Sequence, residues 1–262
     1  VLGHNRGLSI LNPDYTFKTL DFPAANQSNK RVLEMMKDNE GNIWFVSIGL
    51  GLGRLLPDGS ITWYNLGKNT ATTAVMQDKN GRIWIGADAK LFYLEGNKFV
   101  EYKVFKEGYN SIRRIFSDGK NGIYVAGFNG LWHIHDDKAK KTPSPPDKKA
   151  DNVYAYLKDK KGIEYIGTIH GLYTIENKQI IKFKKKGIEI NNPVFFIIQD
   201  KAGMLWIGSD KGVYKWDGES KIEIYNTNNG LVGWETNRGA GMCDSKGRVW
   251  IGTDRGLSCF EP

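Results

Sequence analysis

The sequence is poor in the residues that mark disulfide scaffolds, membrane segments and metalloenzymes. It holds two cysteines and four histidines among 262 residues. No run of about 18 apolar residues occurs, so we expect no membrane-spanning helix. The first residues also lack a basic stretch followed by an apolar one, so no signal peptide is visible. What remains is rich in glycine and aromatic residues, which suits many short strands joined by tight turns.

The cysteines and histidines are spaced without an evident metal site. Cys243 and Cys259 fall on the predicted first and third strands of one repeat, so we expect free, buried thiols. His133 and His135 are two positions apart on a predicted third strand and could both face one ligand. Because no cysteine or carboxylate stands beside them at metal spacing, we predict no metal and no cofactor.

The formal charge of +8 is concentrated in two lysine-rich segments, residues 138–149 and 182–186. Solvated, lysine-rich edges are the simplest interpretation, and an anionic ligand or envelope surface is the alternative. Basic and aromatic residues are not interleaved on a recognisable nucleic-acid module, so no nucleic-acid partner is expected.

A repeated segment predicts the architecture. Residues 244–257 read DSKGRVWIGTDRGL, residues 200–213 read DKAGMLWIGSDKGV and residues 159–172 read DKKGIEYIGTIHGL. Weaker copies begin at Asp38, Asp78 and Asp118. The aromatic anchors of the six copies follow one another in steps of 40, 40, 41, 41 and 44 residues. They are Trp44, Trp84, Tyr124, Tyr165, Trp206 and Trp250. A period near 40 with four strands per unit predicts an all-β fold, a β-propeller of four-stranded antiparallel blades.

The amino terminus supplies a seventh copy, because residues 1–8 align with residues 250–257. The prediction is therefore one propeller domain over residues 1–262, a piece of a larger protein, with seven blades. Its first blade lacks the inner strand and its last blade the outer one. A six-bladed ring is the alternative.

Within a repeat, an apolar inner strand leads into an Asp-x-x-Gly turn, then a strand with the aromatic anchor, a third strand and a polar outer strand. The fourth repeat departs from this pattern because Pro143, Pro145 and Pro146 stand where its outer strand should be. Proline cannot donate to a ladder, so we expect this strand to be lost or reduced to a loose arm.

The repeat unit resembles the two-component regulator propeller repeat, most specifically at residues 200–215 and 244–260. Departures are Ala89 and Lys90 in place of Gly-Leu, and tyrosine anchors in the fourth and fifth repeats. The resemblance implies a periplasmic sensor region of a hybrid two-component system or sensor histidine kinase, as in Bacteroidetes. It also implies neighbouring propeller and immunoglobulin-like domains in the same protein, a homodimeric sensor and an oligosaccharide ligand, with no membrane contact by this region.

Ligand-binding residues are expected in the loops between outer and inner strands and between second and third strands, which share one face of a propeller. The richest set is Trp234, Glu235, Asn237 and Arg238, which offers a stacking surface, a carboxylate, an amide and a guanidinium. A weaker set, placed next to an inner strand, combines Tyr109, Asn110, Arg113 and Arg114. Because successive residues of a strand point to opposite sides, one of the two arginines at most faces inward. His170 lies on a predicted second-to-third loop.

Three functions compete at this point. A non-catalytic sensor would capture a ligand and shift an equilibrium transmitted to an output domain. A lyase or hydrolase, of the kind built on streptogramin-lyase propellers, would pair a loop histidine such as His170 with a carboxylate. A pure interaction scaffold would expose a large apolar patch.

Overall fold

The computed structural model describes residues 1–22, 30–64, 66, 71–103, 105, 111–185 and 187–261. These residues form β-strands and turns and contain no helix. In particular, they contain no helix of the length and hydropathy that crossing a membrane requires. The strands form seven antiparallel sheets, and in each sheet the strands follow one another in chain order.

The chain divides into two compact units, and the first comprises residues 1–125 and 133–139. It holds three complete sheets and part of a fourth. The first sheet contains β1 (Leu2–His4), β2 (Gly7–Leu11) and β3 (Phe17–Leu20). The second contains β4 (Val32–Lys37), β5 (Ile43–Ser47), β6 (Gly51–Leu55) and β7 (Ile61–Tyr64). The third contains β8 (Thr72–Gln77), β9 (Ile83–Ala87), β10 (Lys90–Glu95) and β11 (Lys98–Glu101).

The second unit comprises residues 126–132 and 140–262. The fourth sheet, whose residues are divided between the units, contains β12 (Ile112–Ser117), β13 (Ile123–Gly127), β14 (Gly130–His135) and β15 (Lys138–Lys141). The fifth contains β16 (Val153–Lys158), β17 (Glu164–Thr168), β18 (Gly171–Glu176) and β19 (Gln179–Lys182). The sixth contains β20 (Val194–Gln199), β21 (Leu205–Ser209), β22 (Gly212–Trp216) and β23 (Ile222–Tyr225). The seventh contains β24 (Thr236–Cys243), β25 (Val249–Thr253) and β26 (Leu257–Phe260).

This succession of sheets confirms the seven-bladed β-propeller, and the six-bladed alternative was wrong. The first and last sheets have three strands each, and the strands missing are the inner and the outer one, respectively, as the repeat alignment predicts. The sheets are referred to as blades below.

The prediction that the fourth blade loses its outer strand was wrong. Lys138–Lys141 forms β15 at the edge of that blade, and the Thr142 N–H donates to the Leu131 carbonyl at 2.8 Å. The prolines begin at Pro143, just after the strand, so none of them removes a donor from the ladder. They form instead the segment that leads to the fifth blade.

The core lies in layers between successive blades of each unit. In the second unit, Tyr165 and Leu172 of the fifth blade pack with Ile207 and Trp216 of the sixth. In the first unit, Trp44 of the second blade packs among residues of the third in the same way. In both pairs one blade covers the apolar face of the next, as stacked sheets do.

The Asp-x-x-Gly turn joins the backbone of each repeat to its aromatic anchor. One carboxylate oxygen of Asp38 accepts the backbone N–H groups of Glu40 and Asn42, and the other accepts the indole N–H of Trp44. The indole bond recurs, at 2.8 to 3.0 Å, wherever the anchor is tryptophan. Its pairs are Trp44 with Asp38, Trp84 with Asp78, Trp206 with Asp200 and Trp250 with Asp244.

In the two blades with tyrosine anchors, the carboxylate of the turn aspartate has a different hydrogen-bond partner. In the fifth blade, burial raises the pKa of Tyr165, and the charge of Asp159 and a hydrogen bond to it add to the shift. In the fourth, His133 of the third strand takes the place of the indole, with Nε2 2.9 Å from Asp118 Oδ2. Burial alone would raise the pKa of Asp118, but this bond and two backbone N–H bonds hold it below its ordinary value.

The two cysteines lie on β24 and β26, the first and third strands of the seventh blade, and both are free thiols. The prediction that they are buried was wrong, since Cys243 is half-buried and Cys259 exposed. β26 is the outermost strand of a three-stranded blade, so no fourth strand covers its edge.

Candidate functional site

The segment leading into the seventh blade presents an exposed tryptophan on a fixed backbone. Trp234 is 48% exposed. The Glu235 carbonyl accepts the Asp254 N–H at 2.9 Å, and the buried Thr236 hydroxyl donates to the Ser209 carbonyl at 3.0 Å. The indole face is thus open to solvent while the chain on its carboxyl side is anchored to the loops after the second strands of two blades.

A wide bulge follows directly and displays Arg238. Thr236 pairs with Thr253 and Gly241 with Ile251, so residues 237–240 stand opposite Gly252 alone. The Asn237 amide ties this bulge down by donating to the Thr253 carbonyl at 2.8 Å. A bulge re-aims side chains out of the ladder, and here Glu235, Asn237 and Arg238 are all exposed.

Arg238 reaches across to the inner strand of the fifth blade, in the same unit. Its guanidinium carbon lies 4.5 Å from the ring centroid of Tyr154 on β16, and one of its nitrogens is 3.5 Å from the Tyr154 hydroxyl. Phe195 of β20 lies next to Tyr154, with ring centroids 5.7 Å apart. Tyr154 and Phe195 are 4% and 8% exposed, so they form an aromatic base beneath Arg238, whose exposed guanidinium can donate to the oxygens of a ligand.

Tyr154 and Phe195 were missed by sequence reasoning. Both occupy the bulged position of an inner strand, where the ladder skips from Val153 to Ala155 and from Val194 to Phe196. The equivalent positions in the second and third blades hold Leu33 and Thr73. Two aromatic residues at this repeat position were the available signal.

The remaining predicted residues are not brought together with this set. Tyr109 and Asn110 lie outside the described residues. Arg113 belongs to the other compact unit, where it is half-buried on β12. His170 is exposed in the loop between β17 and β18, as expected, and lines a separate groove beside the segment of Pro143 to Asp147.

A buried ion pair joins the inner strands of the first unit. Glu34 of β4 lies 2.7 Å from Arg114 of β12 and accepts the Val75 N–H of β8 at 3.3 Å. Burial raises the pKa of Glu34 to about 7, against the opposing charge of Arg114 and the bond from Val75. Arg114 of β12 is therefore placed to neutralise an inner-strand carboxylate.

This shift predicts a pH dependence of stability. Glu34 binds its proton more tightly in the folded state, so its contribution is fully present below pH 4.5, its ordinary pKa, and is lost as pH rises through about 7. We expect it to lower the free energy of unfolding by about 3 kcal/mol across that window. Urea titrations at pH 5 and pH 7.5, compared with Glu34→Gln, would measure it. An equal pH dependence in the variant would assign the change to other groups.

In the described parts of the chain, no three His, Cys, Asp or Glu side chains are placed to share a metal ion. His133 and His135 do lie on one strand, with ring centroids 5.9 Å apart, but His133 bonds to Asp118. His170, in turn, makes no ion pair with any carboxylate that the structure describes.

Comparison with known proteins agrees with the repeat analysis. Residues 65–89 and 189–211 match the family described as two component regulator propeller. The extracellular domain of a hybrid two-component system from B. thetaiotaomicron is similar in structure, with a TM-score of 0.81 and 21% identity. The match covers 98% of this chain and 36% of that one, so the chain spans little more than a third of that domain.

An enzyme has a similar fold as well. A catalytically inactive virginiamycin B lyase from Staphylococcus aureus, solved with quinupristin, has a TM-score of 0.78 at 16% identity. That match covers 96% of this chain and 86% of the lyase. No curated protein sequence matches the chain. At these identities the structural likeness establishes the propeller fold, which hosts both sensors and enzymes.

Proposed function

We propose that this chain, which carries two-component regulator propeller repeats, is the extracytoplasmic ligand-sensing propeller of a two-component signalling protein. Its ligand would be a glycan-derived oligosaccharide, and its signal would pass to an output domain elsewhere in the protein. The repeat match and the structural likeness to an extracellular sensor domain support the sensor role. The exposed Trp234, on a backbone anchored through Thr236, supports the ligand class, because an indole face stacks on sugar rings.

The proposed sensor works as part of a larger assembly. A ligand held by Trp234 and Arg238 would contact the first strand of the seventh blade, and Arg238 lies against Tyr154 on the inner strand of the fifth. Binding that favours one arrangement of these strands can shift an equilibrium only by its differential affinity for the two states. We propose that neighbouring propeller and immunoglobulin-like domains, and a second copy of the sensor, read this shift in the periplasm.

A non-catalytic role is proposed for this domain. A lyase needs a general base within hydrogen-bond reach of the proton it removes, oriented by a second group. His170, the loop histidine nominated for that task, hydrogen-bonds in the described structure only through its backbone. Turnover abolished by His170→Ala would overturn the non-catalytic assignment.

Binding of an oligosaccharide should depend on Trp234. We expect Trp234→Ala to weaken the binding of any recognised oligosaccharide at least about tenfold, a loss near 1.4 kcal/mol, because the stacking surface is removed. Isothermal titration calorimetry of the whole chain against a panel of neutral and acidic oligosaccharides would measure this. Phe17→Ala is the matched control, since Phe17 is an aromatic side chain that is 57% exposed on β3.

Two outcomes would contradict the proposal in different ways. Undiminished binding by Trp234→Ala would remove the loop of the seventh blade from the site while leaving an oligosaccharide sensor intact. Equal losses in both variants would point to general destabilisation. A wild-type chain that binds no member of the panel would overturn the ligand class.

A further inference from the structure

An open groove of about 800 Å³ lies on the fifth blade, and its volume is in the range of small-molecule sites. We name it the strap groove. One wall is the strap, residues 143–147, and the other is formed by residues of β18 and β19 with the loops beside them. Of the predicted ligand-binding residues it contains His170, and its Lys149 and Lys182 belong to the lysine-rich segments for which an anionic ligand was the alternative.

The strap is held in place at its amino end. The Ile180 N–H of β19 donates to the Pro143 carbonyl at 2.8 Å, which joins the strap to the outer strand of the blade. Asp151 accepts a hydrogen bond from the Ser144 hydroxyl and an ion pair from Lys141 at 3.2 Å. Three prolines fix backbone φ along this stretch. A wall that is already ordered costs little entropy when a ligand binds.

The cations of the groove are balanced by acceptors in the same groove. Lys149 Nζ lies 3.5 Å from Asp147 Oδ2. Lys182 Nζ donates to the carbonyls of His170 at 2.7 Å and Ile190 at 3.2 Å, which leaves one of its three hydrogens for a ligand. Burial lowers the pKa of Lys182, and the charges of Glu189, Lys149 and Asp147 act on it in opposite senses. Two lysines and two carboxylates give no net formal charge.

The pyrrolidine rings of Pro145 and Pro146 supply apolar surface on the strap side of the groove. On the other side, Tyr173 is buried beneath Lys182, whose Nζ lies 4.7 Å from its ring centroid. The exposed amides of Gln179 and Asn191 complete the rim. An apolar proline wall, together with donors and acceptors in equal supply, suits a ligand whose hydroxyl groups both donate and accept.

We propose that the strap groove binds a short segment of a neutral oligosaccharide and is a second sugar site, built independently of Trp234. This inference rests on the proposed function. An anionic ligand would require an excess of unpaired cations. Lys149 is paired with Asp147, and two of the three Nζ hydrogens of Lys182 are bonded to carbonyls. A neutral ligand accounts for the balance of charge without desolvating an unpaired ion.

Methyl NMR of the whole chain can separate the two sites. Ile181 lines the strap groove, and its methyl resonances report on that groove, while the indole N–H of Trp234 reports on the seventh blade. The probes are cellotetraose, xylotetraose and mannotetraose, with tetragalacturonate as the acidic comparison. We expect saturable Ile181 shifts with a neutral tetrasaccharide, and the same dissociation constant at about 50 and about 500 mM salt, because no net charge is screened.

Exposed rim residues supply the variants, so that folding is left intact. We expect the double variant Gln179→Ala with Asn191→Ala to weaken the Ile181-detected binding at least about tenfold. Lys138→Ala is the control, since Lys138 is exposed and opens β15 at the position that Gln179 holds in β19. An unchanged dissociation constant in the double variant would overturn the groove assignment.

The outcomes distinguish the groove from the sensor role. Shifts of the Trp234 indole without any shift at Ile181 would overturn the strap groove and leave the oligosaccharide sensor standing. An Ile181 shift only with tetragalacturonate, weakened by salt, would overturn the neutral ligand class. No shift at either position with any tetrasaccharide would overturn the groove and the oligosaccharide sensor together.

Discussion

Asp38→Ala is expected to lower the free energy of unfolding by about 4 kcal/mol at neutral pH. The carboxylate accepts two backbone N–H groups of its turn, the Asn42 amide and the Trp44 indole N–H, the last two both at 2.8 Å. Trp44 is 1% exposed, so its N–H would be left buried without an acceptor. Urea unfolding followed by tryptophan fluorescence would measure the loss.

Asp58→Ala is the matched control for this variant. Asp58 also closes a turn between strands, and its Oδ1 accepts the N–H and the hydroxyl of Ser60, but it bonds to no indole and is exposed. We expect a much smaller loss there. A loss at Asp58 equal to that at Asp38 would show that turn closure, and not the buried indole bond, carries the stability.

The same bond fixes how the effect of Asp38→Ala varies with pH. Burial alone would raise the pKa of Asp38, but its hydrogen bonds with Asn42, Trp44 and Glu40 outweigh it and lower the pKa below 3.8. A depressed carboxyl pKa adds stability above the unfolded value and loses it as pH falls through the folded value. The difference in free energy of unfolding between wild type and Asp38→Ala should therefore decrease in acid, below the pH range in which Glu34 titrates.

The repeat made the blades predictable because each one carries its own signals. The aspartate turn, the aromatic anchor and the following glycine are adjacent in sequence, so one alignment fixes the second strand of every blade. The same reasoning failed at β15, because the sequence pattern did not distinguish prolines inside the outer strand from prolines that begin just after it. The strand ends at Lys141 and the first proline is Pro143.

The alignment could not predict contacts between side chains that are far apart in sequence. His133 replaces an indole on Asp118 in the fourth blade, and a search for metal spacing could not reveal a partner 15 residues earlier, in the turn after another strand. Arg238 meets Tyr154 across 84 residues through a bulge that widens β24. Bulges depend on how two strands register, which single-strand patterns do not encode.

The candidate site was therefore predicted in part. The loop of Trp234 was found from its residue types, and the structure adds the aromatic pair beneath Arg238. The strap groove was hidden for a different reason. One wall is a proline segment that appeared to be a damaged strand, and the other includes β19, which runs into the lysine-rich segment that appeared to be a solvated edge. A hydrogen bond from the Ile180 N–H to the Pro143 carbonyl joins the two.

Gly208, two residues after the anchor Trp206, has a packing role that predicts a second large effect. In the sixth blade, a Cβ placed on Gly208 would overlap the ring of Phe196, which is 3% exposed and also fills the space beside Gly241. Gly208 lies on β21 between two paired strands, so its backbone cannot move away. We expect Gly208→Ala to lower the free energy of unfolding by about 4 kcal/mol or more, measured by urea unfolding.

A double-mutant cycle tests the cause. Phe196→Ala alone should cost about 3 to 4 kcal/mol through lost burial, and adding Gly208→Ala to it should cost little more, because the ring that clashes is gone. Gly252→Ala is the matched control at the same repeat position in the seventh blade, where the nearest neighbour of the new Cβ is Ala240 Cβ at 3.0 Å. If Gly252→Ala were as damaging as Gly208→Ala, or if the two losses in the cycle simply added, the aromatic ring would not be the reason for the glycine. The requirement for glycine at this position would then come from the strand backbone itself.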